Sequence, residues 1–185
     1  GFFFVKGDEK KDGRSIFIIT LYLSTRLNPF YENITGVANL PYFHIPVILF
    51  TILSSAYFSY RMYRLFNRDV HKHFYQMIII LTGFIMSIGS LFRYTINQRD
   101  ILSILHVYCS MFGCVSFLVL LFIYTRKMAL FDINLYLKIH WFYDGLIQLF
   151  CLLFLFFGRV NGYIEILFAL IVCGYLYLIR RYEKV

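Results

Sequence analysis

Long runs of apolar residues dominate the pattern of this chain, and each run approaches or exceeds the roughly 20 residues that a helix needs to cross a bilayer. The runs are continuously apolar and lack the alternation of barrel strands, so they predict helices. The connections between them are short, which favours antiparallel packing of neighbours. We therefore predict an all-α fold, a polytopic transmembrane helix bundle with five spans. The predicted spans cover residues 43–60, 74–92, 101–125, 139–157 and 162–179.

The segment before the first span has a different pattern. A mixed-charge patch over residues 6–14 precedes an apolar run over residues 15–25, which is too short to span. We expect residues 1–42 to form an interfacial or lumenal packing segment, followed by the bundle over residues 43–185. The opening Gly1 favours a mature or partial product, in which "GFFFV" would be the end of a preceding signal or membrane helix.

The composition supports a membrane protein, since 60% of the residues are apolar, 21% are aromatic and only 15% are charged. The net charge of +8 does not indicate nucleic-acid binding, because the basic residues lie at the ends of apolar runs. The cysteines all lie inside apolar runs, which predicts helix packing instead of a disulfide framework. They are Cys109, Cys114, Cys151 and Cys173.

The distribution of Lys and Arg predicts the orientation, because short cytoplasmic loops carry an excess of both. Ten basic residues lie in the predicted loops 61–73 and 126–138 and in the C-terminal tail. The alternate loops carry three, which are Arg93, Arg99 and Arg159. We therefore expect a cytoplasmic C-terminus, with the residues before the first span in the lumen or outside.

This orientation predicts that the stretch "FYENITGVANLPYF" is lumenal or external. It contains Asn33-Ile34-Thr35, an acceptor sequence for an N-linked sugar, which only a lumenal or external segment can receive. Asn33 is therefore a candidate N-glycosylation site.

Ionisable residues inside apolar runs form the candidate polar site, because burying charge in a bilayer is costly. His106 and Glu165 both lie toward the lumenal ends of their spans, and we expect them to meet between helices. His140 and Asp144 lie toward the cytoplasmic end of the fourth span, and they are four residues apart on one helix face, close enough to hydrogen-bond directly. The alternative is structural, since groups within a turn or two of the membrane surface can reach water or headgroups.

The basic loop after the first span is a candidate contact for anionic lipid headgroups on the cytoplasmic side. Its residues are Arg61, Arg64, Arg68 and Lys72. The alternative is that they only set the topology. We predict no catalytic residue, no cofactor and no metal site, because known catalytic motifs are missing and the His71 and His73 pair has no third ligand.

Several stretches within residues 27–182 resemble the DRAM-type family of six-span membrane proteins, which includes GPI-anchor lipid-remodelling proteins and phosphoinositide regulators. "LNPFYENITG" resembles the family's lumenal stretch, and "FTILSSAYFSYRMYR" its second span. "ILHVYCSMFGCVSFLVLLFIYTRK" resembles a span that opens with His, here His106, and closes with Tyr, here Tyr124. "NGYIEILFALIVCGYLYLI" resembles the last span, with Glu165 as its acidic residue. The family's Pro-Pro-Glu is replaced here by "ANLPYF", and its first span is missing or lies outside this chain.

A second resemblance competes with the first. "LPYFHIPVIL" and "HWFYDGLIQLFCLLFLFFG" are similar to the later part of cytochrome c oxidase subunit III, which would imply the mitochondrial inner membrane. That subunit ends where residue 158 falls, so the rival leaves the fifth span unexplained.

These observations favour a lipid-handling or regulatory membrane protein of the endomembrane system or plasma membrane. We expect a non-catalytic subunit or partner of a larger complex, in contact with anionic lipids and other membrane protein subunits. The alternatives are an accessory subunit of a mitochondrial respiratory complex and a lipid-remodelling enzyme of GPI anchors.

Overall fold

The computed structural model of the protein describes residues 9–92, 100–158 and 160–182, and the side chains from residue 13 onward. Within these ranges the secondary structure is entirely helical. The helices are α1 (Glu9–Ser24), α2 (Ile34–Val37), α3 (His44–Leu65), α4 (Lys72–Leu91), α5 (Ile101–Phe131), α6 (Ile133–Phe157) and α7 (Gly162–Tyr182). A short 3₁₀ turn, Phe66–Arg68, follows α3. Of the residues used in the charge count, Arg93, Arg99, Arg159 and Lys184 lie outside the described ranges, as does the opening "GFFFV".

The helices α3 to α7 are each long and apolar enough to cross a membrane. The prediction of an all-α multi-pass membrane protein with five spans is therefore confirmed.

The predicted loop over residues 126–138 is wrong in extent. Helix α5 continues to Phe131 and α6 begins at Ile133, so only Asp132 separates them. The charges that end the apolar run do not end the helix, because Arg126 places its guanidinium 4.9 Å from the centre of the Phe122 ring on its own helix. The first predicted loop is also shorter, since α3 and its 3₁₀ turn extend to Arg68.

Contacts divide the chain into two compact units, of which the first comprises Gly1–Ile34 and Ile133–Val185. In this unit α7 packs against both α1 and α6, and it contributes most of the buried side chains. The short apolar run of the N-terminal segment forms α1, where the Arg14 guanidinium lies 5.7 Å from the centre of the Tyr177 ring of α7. Gly174 accommodates the Phe142 ring, because an added Cβ would lie 2.6 Å from its Cζ.

The second unit comprises Thr35–Asp132, and in it α4 packs against both α3 and α5. Its core contains Met62, Ile79 and Leu121, all fully buried. Small residues bring α3 and α4 together: the Ser55 hydroxyl donates to the Gly83 carbonyl at 2.9 Å. A Cβ at Gly83 would collide with the Ser59 Oγ and lie 3.2 Å from its Cβ, so glycine lets α3 and α4 approach this closely.

This packing predicts that Gly83→Val separates α3 from α4. We expect the free energy of unfolding to fall by about 1–3 kcal/mol, the usual cost of overpacking. The measurement is thermal unfolding of the purified protein in mild detergent. The matched control is Gly145→Val, because an added Cβ at Gly145 meets nothing within 4 Å. An equal loss of stability in both variants would contradict the close α3 and α4 contact.

Candidate functional site

The His106 centre, defined here as His106, Thr35, Gly89 and Ser110, lies within the second unit. His106 is on the second turn of α5 and its side chain is only 5% exposed. Its Nδ1 lies 2.7 Å from the Gly89 carbonyl oxygen, which can only accept, so Nδ1 carries the hydrogen. In the neutral ring Nε2 is then an acceptor, and the Thr35 hydroxyl, at 3.1 Å, donates to it. The Ser110 Oγ lies farther from Nε2, at 3.4 Å.

The sequence around Gly89 explains how the imidazole reaches α4. A Cβ at Gly89 would lie 2.7 Å from the Cys109 Cβ, so glycine lets α4 and α5 approach closely. The Gly89 carbonyl is in the last turn of α4, where it accepts a hydrogen bond from the N–H of the C-cap residue Phe92 at 3.2 Å. The His106 Nδ1–H therefore adds a second hydrogen bond to this carbonyl oxygen, which has two lone pairs, and links α5 to the end of α4.

The chemistry of this centre is compatible with a purely structural role. A base next to a hydroxyl is the arrangement found in nucleophilic catalysis. Here, however, a neutral backbone carbonyl faces Nδ1, where a catalytic triad has a carboxylate that stabilises the imidazolium. The centre satisfies a buried imidazole and joins α2, α4 and α5, which is sufficient reason for its geometry.

Glu165 has a separate set of partners in the first unit. It lies in the first turn of α7, where its Oε2 accepts a hydrogen bond from the Ile34 N–H at 2.6 Å. Beside it, the Asn161 Oδ1 accepts from the Ile164 N–H at 3.1 Å and so caps α7. The Gly162 N–H donates to the Glu32 carbonyl at 2.8 Å. These bonds fix the chain that precedes α2 against the start of α7.

His106 and Glu165 belong to different compact units, and each has hydrogen-bond partners within its own unit. The contact between them therefore stays a prediction.

His140 and Asp144 are half-buried on consecutive turns of α6. The His140 Nδ1 donates to the Tyr136 carbonyl at 2.9 Å, and the His140 ring stacks on the Tyr136 ring with centres 4.5 Å apart. These contacts orient His140 along its own helix. A hydrogen bond between His140 and Asp144 stays a prediction.

The α3–α4 groove is an open depression of about 470 Å³ in the second unit. It is lined by Tyr63 of α3 and by His73, Gln76, Met77, Ile80, Leu81 and Phe84 of α4. The polar lining residues cluster near the start of α4, and the later ones are all apolar. The groove is thus amphipathic along its length, which composition alone does not reveal.

The predicted basic cluster lies next to the polar end of this groove. Arg64 and Lys72 are neighbours in the chain of the lining residues Tyr63 and His73. Arg64, Lys72 and Arg68 are exposed, whereas Arg61, one turn earlier on α3, is half-buried.

Asp69 is an acidic residue within this basic loop, and its partner is far away in the sequence. Lys127 of α5 donates to its Oδ2 at 2.6 Å. The Lys127 Nζ also lies 4.5 Å from the centre of the Tyr75 ring. Burial raises the pKa of the Asp69 carboxyl, but hydrogen bonds from Lys127 and from the His71 N–H, together with the charge of Lys127, outweigh it. The result is a pKa below the ordinary value of 3.8.

Within the described part of the chain, no group of three His, Cys, Asp or Glu residues could hold a metal ion.

No family model matches the chain, and neither a curated protein nor a solved structure matches it. The resemblances to DRAM-type proteins and to oxidase subunit III therefore stay predictions, and function is argued from the geometry.

The lowered pKa of Asp69 predicts a pH-dependent stability. Because the folded pKa is below the unfolded one, folding favours the carboxylate. The stabilisation from this carboxylate is complete above the pKa of the unfolded chain, about 3.8. It is lost as the pH falls through the lower pKa of the folded protein. Thermal unfolding in detergent, measured between about pH 6 and about pH 3, should show this loss in the wild type. The Asp69→Asn variant should be less stable than the wild type at the upper end of this pH range, and its unfolding temperature should depend less on pH. The same pH dependence in both proteins would exclude this pair as its source.

The His106 centre predicts that the hydroxyl of Thr35 contributes to stability. Thr35→Val keeps the shape but removes the donor to Nε2, so the free energy of unfolding should fall by about 1 kcal/mol. Ser110→Ala should have a smaller effect, because its contact is longer. Thr35→Ser keeps a hydroxyl and serves as the control. If Thr35→Ser were as unstable as Thr35→Val in thermal unfolding, the hydrogen bond would not explain the loss.

Proposed function

We propose that this multi-pass membrane protein holds an anionic phospholipid in the α3–α4 groove, as a non-catalytic lipid-handling or regulatory protein of the endomembrane system. The observation that carries the proposal is that Arg64 and Lys72 adjoin groove-lining residues in the chain, while the rest of the groove is an apolar wall formed by α4. A phospholipid has the same arrangement of charge and hydrocarbon.

The length of the groove supports this occupant. From His73 to Phe84 the groove follows α4 for about 16 Å, at about 1.5 Å per residue. One leaflet of a bilayer has a hydrocarbon thickness of about 15 Å. An acyl chain of the same leaflet can therefore lie along the whole apolar wall. Met77, Ile80 and Phe84 are each about 60% exposed, so this wall is open to such a chain.

The charge at the polar end favours an anionic headgroup. Arg64, Arg68 and Lys72 are exposed there, and basic residues near a membrane surface each contribute about 1 kcal/mol of attraction to anionic lipid. Asp69 does not cancel this charge, because its carboxylate is paired with Lys127. The orientation expected from the charge count puts this end at the cytoplasmic leaflet, where anionic lipids are enriched.

The lining residues favour binding over chemistry. Most are apolar, and the Gln76 amide is already engaged as a donor to the Asn67 Oδ1 at 2.9 Å. A lipid held in this way would be presented to, or sensed by, another membrane subunit, which suits the regulatory role expected from the sequence.

The proposal predicts that Arg64→Gln, Arg68→Gln and Lys72→Gln, combined in one variant, weaken binding of anionic lipid by at least about tenfold. Native mass spectrometry of protein in mild detergent, titrated with phosphatidylserine or phosphatidylcholine, would measure the bound lipid. The matched control combines Arg126→Gln, Lys138→Gln and Arg181→Gln. It removes the same charge from exposed residues outside the groove. Equal losses in both variants would show that total charge, not the groove, attracts the lipid.

A second variant of the same experiment tests the apolar wall. Ile80→Trp should fill the groove and reduce lipid binding without changing any charge. Leu155→Trp is the control, because Leu155 is 79% exposed on α6 and does not line the groove. Unchanged binding by the Ile80→Trp protein would contradict occupancy of the groove by an acyl chain.

A further inference from the structure

The sequon Asn33-Ile34-Thr35 and the His106 centre share one side chain, Thr35. An N-linked sugar is added to the Asn of Asn-X-Ser/Thr, so the acceptor sequence needs both its Asn and a residue that carries a hydroxyl. In the folded protein the Thr35 hydroxyl lies 3.1 Å from the His106 Nε2 and donates to it. The hydroxyl of the sequon is therefore already engaged in a hydrogen bond with His106.

The backbone of the sequon is fixed as well. Residues Ile34–Val37 form α2, and the Ala38 N–H donates to the Thr35 carbonyl at 3.1 Å. Val37 is 1% exposed and Ile34 is 9% exposed, so both are anchored by burial. Asn33 itself is only half exposed to its surroundings. An enzyme could not take up this segment without unfolding α2 and releasing Thr35 from α5.

We infer that His106 protects the sequon, so that Asn33 stays unmodified in the folded protein and becomes a glycosylation site when the Thr35–His106 hydrogen bond is lost. Protection requires that α2 docks on α5 before the transferase captures the segment. Glycosylation at Asn33 would then mark chains in which Thr35 has not docked on His106. This inference does not depend on the α3–α4 groove or on its lipid.

The test is a glycosidase gel shift on protein made in cells that glycosylate secretory proteins. We expect little or no shift for the wild type. His106→Ala should increase the modified fraction by about tenfold, the effect of removing one hydrogen bond from the closed state. The double variant His106→Ala/Asn33→Gln should lose the shift, which assigns the sugar to Asn33. His106→Phe keeps a ring of similar size without the acceptor, and it should behave like His106→Ala if the alanine variant does not fold.

Gly83→Val controls for general instability, because it disrupts the same unit and leaves Thr35 and His106 unchanged. If Gly83→Val gained as much sugar as His106→Ala, modification would follow unfolding in general, and specific protection by His106 would be excluded. A fully modified wild type would also overturn the inference. So would the absence of sugar in every His106 variant, a result that agrees with the mitochondrial alternative.

Discussion

The hydrocarbon core of a bilayer offers no hydrogen-bond partners, and this constraint governs the structure. Backbone groups are satisfied by helix formation, and many polar side chains in the spans donate to backbone carbonyls. Thr51 and Thr125 donate to the carbonyls of Val47 and Leu121 on their own helices, at 2.9 and 2.7 Å. Ser55 donates to a neighbouring helix. The imidazole of His106 is also buried, and both of its ring nitrogens have hydrogen-bond partners.

Small residues connect this constraint to helix packing. Apolar side chains gain little by leaving lipid for one another, so helices associate where backbones can approach closely. Gly83 and Gly89 provide such contacts on α4, against α3 and α5 respectively. At Gly89 the close approach also brings a carbonyl within reach of the His106 Nδ1. The packing of α4 on α5 and the geometry of the His106 centre therefore depend on the same glycine.

The spans could be predicted from the sequence because continuous apolar runs report directly on the lipid environment. Their ends could not, because a charged residue such as Arg126 can stay in a helix by directing its side chain along the surface. The importance of His106 could be inferred from its position alone. Its partners Thr35 and Gly89 could not, and neither could the pairing of Asp69 with Lys127, because these contacts join residues that are far apart in the chain. The α3–α4 groove depends in the same way on how two helices meet.

Helix α4 lies between two contacts with α5, and it forms most of the α3–α4 groove. Near its start, Lys127 of α5 holds Asp69, and in its last turn His106 of α5 holds the Gly89 carbonyl. Fixed at both ends, α4 presents the groove face between them, from His73 to Phe84, as a surface formed before any ligand binds. A preformed surface favours binding because little conformational freedom is lost when the lipid arrives. In the proposed function, the pairing of Asp69 with Lys127 leaves the neighbouring cations as the charge that a headgroup would meet, so a contact that stabilises the unit would also favour an anionic lipid.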